Sequence, residues 1–253
     1  MIHDLRLILD GWEYEPGRIS VRKIIGTDGR EKLQMRVDLG LLQFDTVGRP
    51  DGVRPHGFES YLDYCEARLR EHIRRRGSSA GFTLTAEDAR ELRHEAHLYY
   101  QRFLSFFVLE EFEAVERESA RNLRLFDLCR SFGASRHDRE ALEPQRAYTM
   151  MMNVRARVYA AARRADYERA IEQLDGGIRR LERLLVEQSL PTGSEAPPEL
   201  AVLHALRREI LEMMPPDAAP RLNWELQTAL DNEDYEHAAK LRDRLAAKRK
   251  NRS

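Results

Sequence analysis

The apolar residues of this chain change their spacing once, between Val47 and Phe58, and that change limits the fold more than any other feature. Before it, Leu33, Met35, Val37, Leu39 and Leu41 alternate with Lys32, Gln34, Arg36 and Asp38. A period of two predicts one strand with a buried face and a wet face. The stretch Arg18 to Ile25 supplies a partner strand, and Thr27-Asp28-Gly29-Arg30 carries the Asp-Gly pair of a hairpin turn. Leu42 to Val47 is expected to extend the second strand past a bulge at Gly40. After Phe58 the period is that of a helix, with Phe58, Tyr61, Leu62, Cys65, Leu69 and Ile73 on one stripe. The prediction is a mainly α protein with a small N-terminal antiparallel β element.

The remaining punctuation is helical. Thr85 and Asp88 form a capping-box pair ahead of a helix running from Ala86 toward Phe107. A second helix is predicted from about Glu110 to Phe132, stopped by Gly133, and a third from Glu143-Pro144 through Ala162. A fourth covers Asp166 or Tyr167 to about Gln188, where Gly176-Gly177 implies a close helix contact. Residues 191–198 read as a Pro-, Gly- and Ser-bearing linker, and Glu199 to Met214 as a helix ended by Pro215-Pro216. These breaks predict four regions: 1–57, a β element and loop; 58–190, a helical-hairpin body; 191–220, linker and helix; 221–253, a terminal hairpin that moves relative to the body.

In the terminal region, Leu222, Leu226, Ala229 and Leu230 make one helical stripe. Tyr235, Ala238, Ala239, Leu241, Leu245 and Ala246 make a second, after the polar break Asp231-Asn232-Glu233-Asp234. Two such helices fold back antiparallel, with Tyr235 expected to plug the turn end. The same corner pattern, an aromatic opening a helix and a small or β-branched residue soon after, recurs at Phe112-Glu113-Ala114-Val115 and Tyr167-Glu168-Arg169-Ala170-Ile171. The central corners resemble tetratricopeptide-type hairpins. Their aromatics lie about 55 and 68 residues apart instead of ~34, so a regular array is not expected.

The run Tyr235-Glu236-x-Ala238-Ala239-x-Leu241-Arg242-Asp243, preceded by Leu226, Ala229 and an acidic turn and closed by Leu245, resembles the UVR domain of the excision-repair proteins UvrB and UvrC. The resemblance implies a bacterial, DNA repair-associated or protein-quality-control protein whose hairpin contacts another protein, itself UVR-bearing. It implies partner-binding roles for Tyr235, Glu236, Ala239, Arg242 and Asp243. UVR hairpins also occur in regulators of Clp proteases and in protein-arginine kinase activators. The cysteine-rich zinc motifs of those activators are missing, as are the helicase motifs of UvrB and the nuclease features of UvrC.

Elsewhere the chemistry is sparse. The turn-rich stretch Gly48 to Gly57 gathers Arg49, Arg54 and His56, a candidate anion or nucleotide contact; the competing role is tying the loop to nearby acidic groups. That structural role is favoured because no Walker-type pattern is present. His94 and His97 flank Glu95 at a spacing that fails the zinc-peptidase pattern, so no metal site is expected. Cys65 and Cys129 read as buried apolar residues and not as a disulfide. Lys plus Arg (42) balances Asp plus Glu (43), and the basic tail Lys248-Arg249-Lys250-Asn251-Arg252 suits a helix C-terminus, so direct nucleic-acid binding is expected to be weak or absent. No segment reaches the ~20 apolar residues of a membrane span. The N-terminus lacks a signal-peptide pattern. A cytoplasmic, non-enzymatic protein without cofactor is the expectation, with self-association left open.

Overall fold

The computed structural model describes residues 4–187 and 197–250, with side chains through Lys248. Most of the linker expected over 191–198 therefore lies outside the described residues, as do Asn251 and Arg252 of the basic tail. The chain divides into two compact units, 1–153 and 154–253, a division that falls within one helix and cuts across the sequence-based boundaries.

The first unit opens with a short helix, α1 (Arg6–Leu9), and a three-stranded antiparallel sheet of order β1 (Ser20–Ile25), β2 (Glu31–Val37), β3 (Gly40–Asp45). The single long strand expected after Arg30 is two strands. Val37 pairs with Gly40, so Asp38-Leu39 is a two-residue turn, and Leu39 is 92% exposed. The register aligns Val21 with Met35 and Leu33 with Phe44 on one face, which is buried. The opposite face is not wet as expected. Gln34 is buried there, bonded to Arg22 (2.8 Å) and Gln43 (2.9 Å), and Arg22 lies over the Trp12 ring at 4.1 Å.

Helices α2 (Tyr61–Arg76), α3 (Ala86–Val108) and α4 (Phe112–Phe132) follow. The Thr85/Asp88 capping box starts α3 as predicted. A five-residue helix, α5 (Arg136–Glu140), was not anticipated although Ser135 and Asp138 form a second capping box. Gly133 ends α4 in extended, not left-handed, backbone. Its value is closeness: a Cβ there would lie 2.9 Å from the Cys129 carbonyl. Leu62, Cys65, Leu92, Ala96, Leu125, Phe126 and Cys129 share one core cluster, and burial pushes both thiols up to about 12. Both cysteines are free.

Helix α6 (Arg146–Ala162) carries the chain into the second unit, which continues with α7 (Tyr167–Glu187), α8 (Pro198–Met213), α9 (Ala219–Asp231) and α10 (Tyr235–Lys250). The close contact inferred from the glycine pair belongs to Gly177, where a Cβ would stand 2.5 Å from Val154 Cγ2. A Cβ at Gly176 would meet only the Arg179 guanidinium, at 4.0 Å. The break at Pro215-Pro216 is clamped: Arg221 donates to the Glu212 (3.0 Å) and Met214 (2.8 Å) carbonyls, Arg244 to Pro216, and Lys248 pairs with Asp217 at 2.7 Å.

Candidate docking site

Three helix pairs turn on the same local geometry. Glu110, Ala165 and Glu233 each adopt left-handed backbone (φ 58°, 56° and 59°), two residues before Phe112, Tyr167 and Tyr235. Each left-handed residue donates its N–H three residues back, to Phe107, Ala162 and Leu230. Each following residue donates five back, to Phe106, Ala161 and Ala229. This pair of bonds satisfies the last carbonyls of the first helix. The next helix then starts, with the Asp166 and Asp234 carboxylates accepting from the Arg169 and His237 amides in the second and third corners. The residue three after the aromatic is buried in every case: Val115, Ala170 and Ala238.

The corners differ in what covers the aromatic. Phe112 is 6% exposed, with the Phe107 ring edge-on at 5.8 Å, and its neighbour Glu111 pairs with Lys23 of β1 at 2.5 Å. Tyr235 is 67% exposed. It is not the plug the sequence predicted, because the close pair Ala229 and Ala238 already fills the space between α9 and α10. Leu222, Ala229, Ala238, Leu241 and Leu245 form the hairpin's own small core.

What remains outside is a face. Tyr235, Ala239, Arg242 and Ala246 recur at i, i+4, i+7 and i+11, so they share one side of α10. Ala239 is half-buried and the others are exposed. Leu230, which sequence reasoning assigned to packing, is 43% exposed at the end of α9. Glu236 pairs with Lys240 at 2.6 Å, and Arg242 reaches Asp243 at 3.5 Å, both in solvent. Such pairs contribute little to folding and stay available for exchange with a partner's charges. The arrangement offers an aromatic and an aliphatic anchor beside charged groups, the composition of a docking surface.

The Arg49, Arg54 and His56 group is not brought together as a site. Arg49 is buried, 3.1 Å from Asp51 and 3.7 Å from Glu95. Glu95 is itself fully buried on α3, accepting from the Tyr61 (2.6 Å) and Leu62 (3.0 Å) amides at the start of α2 and from Arg121. Arg49 thus ties the loop to the α3 carboxylate that also holds the first turn of α2. Nearby, Arg102 makes a two-bond fork with Glu118 and donates to the Asp45 carbonyl. Burial raises the Glu118 carboxyl above its ordinary value despite Arg102. Burial also works against the charged form of Asp88, but Arg68, the Thr85 amide and the Tyr61 hydroxyl outweigh it and hold that carboxyl low. Arg54 and His56 are exposed. His94 and His97 are exposed too, and among the described residues no group of three or more His, Cys, Asp or Glu is placed to hold a metal ion.

Helices α9 and α10 thus form an antiparallel two-helix module with its own small core and an exposed face. Residues 220–251 match the family model of the UvrB/uvrC motif, which covers α9 and α10, and motifs of this kind mediate protein interactions. No curated protein and no solved structure matches the chain. Among the described residues no helix is long and apolar enough to cross a membrane.

Proposed function

We propose that this chain is a non-enzymatic, cytoplasmic bacterial adaptor that docks a second, UVR-bearing polypeptide through the Tyr235 face of its terminal hairpin. The remaining helices and the sheet serve as the scaffold that presents it, and the pathway is nucleotide excision repair or protein quality control. The observation that carries this reading is the 67% exposure of Tyr235 at a turn whose counterpart in the first unit keeps its aromatic covered. Leaving an aromatic in water forgoes the burial free energy that Phe112 gains. A partner that covers Tyr235 recovers it on binding.

Titration calorimetry of the full chain with purified UVR hairpins, one set from excision-repair subunits and one from Clp-protease regulators, tests the proposal and separates the pathways. One set binds, and Arg242→Glu weakens it without changing the melting temperature. The reading fails if neither set binds, or if deleting residues 222–253 leaves partner recovery from native cytoplasm unchanged.

A further inference from the structure

A second surface, on the first unit and independent of the hairpin, combines stacked rings with arginines. His56 is held in left-handed backbone (φ 50°), rare for a residue other than glycine, and its ring stacks on Tyr64 at 4.0 Å with an interplanar angle of 22°. The Arg68 guanidinium lies 5.3 Å from the same Tyr64 ring. Phe58, 37% exposed, tilts against Tyr64 at 5.6 Å. Phe58, Tyr64 and Arg68 line one end of a groove of about 510 Å³ that runs along α2 past Glu71, Arg75 and Arg76 and is walled by Phe82, with the His56 ring stacked on Tyr64 beside it.

The groove is cationic although the chain as a whole is balanced. Arg74, Arg75 and Arg76 are all exposed, and Glu71 is the acidic partner of the first two. Arg76 makes no ion pair among the described residues, so the end of α2 carries two uncompensated positive charges. From Arg68 to Arg76 the helix rises ~12 Å. Exposed ring faces next to a line of guanidiniums match a polymer with alternating flat bases and phosphates. An acidic peptide would use the arginines and leave Phe58 and His56 without a role. A duplex hides its base faces and would use the charges alone.

We infer that this groove binds single-stranded nucleic acid, with bases stacking at Phe58 and the outer face of His56 and phosphates meeting Arg75 and Arg76. This places the anion contact on α2, away from the Arg49 that the loop consumes.

Fluorescence anisotropy of a short labelled oligothymidylate with the full chain tests it. Two neutralised phosphates predict an affinity that falls about sevenfold between about 50 and 200 mM salt. The double substitution Arg75→Glu, Arg76→Glu weakens binding at least tenfold, and Phe58→Ala weakens it severalfold, with melting temperatures retained. Lys248→Glu, on the terminal helix, leaves binding unchanged. The inference is overturned by absence of binding at the lowest salt, or by equal affinity in the Arg75/Arg76 variant. It is equally overturned if Phe58→Ala has no effect while polyglutamate displaces the oligonucleotide, the acidic-peptide outcome, or if a duplex of the same length binds as tightly.

Discussion

The corner between α3 and α4 and the corner between α9 and α10 are the same turn used for two purposes. Both place a glutamate in left-handed backbone, both close with bonds running three and five residues back, and both bury the residue three past the aromatic. Yet Phe112 is 6% exposed and Tyr235 is 67% exposed. The turn and the inner small residue are therefore what an antiparallel helix pair needs. The aromatic is not part of that need. In the first unit it is buried beside Phe107, and in the hairpin it stays exposed.

The comparison breaks most visibly at Phe112. Phe112→Ala removes a covered ring and should destabilise the first unit by about 3–5 kcal/mol, read as a shift of its denaturant midpoint. A loss below about 1 kcal/mol would mean that burying that ring contributes little to the unit. Next come the helix caps. Asp166→Ala and Asp234→Ala should each cost about 1 kcal/mol in the second unit, because each removes a carboxylate that accepts an amide at a helix start. Equal losses would support one shared turn, and a null result at either would separate the two corners. The smallest effect belongs to the left-handed residues themselves. Ala165→Gly and Glu233→Gly relieve a Cβ penalty and should stabilise by up to about 1 kcal/mol, detectable as a raised melting temperature. A lowered melting temperature at either site would show that the side chain contributes more than the backbone costs.

Much of this was legible from residue spacing. The change of period near residue 50, the helix starts at Thr85 and Tyr167, the Gly177 contact and the two hairpin stripes follow from local chemistry, and the structure carries them. The β2–β3 turn was missed because Leu39 continues the apolar alternation straight through it and no Asn-Gly or Asp-Gly pair marks the reversal. The Ser135/Asp138 signal for α5 was present and overlooked.

Coverage was the part that sequence could not supply. Which charges meet at a helix start or in a loop depends on what arrives from elsewhere: Lys23 lies far from Glu111 in sequence, and Glu95 far from Arg49. The loop arginine was expected to be tied to acidic groups, but residue spacing could not say that one of them would be Glu95 of α3. Tyr235 looked buried because its two counterparts obey the same pattern, one buried and one half-buried.

The decisive measurement is therefore a paired one on Tyr235→Ala in the full chain: its unfolding free energy and its affinity for the UVR-bearing partner. The docking account predicts a stability loss under about 1 kcal/mol, as expected for an exposed side chain, together with at least a tenfold loss of affinity. A stability loss of about 2 kcal/mol or more with affinity within twofold of the unsubstituted protein would return Tyr235 to the hairpin's core and contradict the claim that this face is built for a partner.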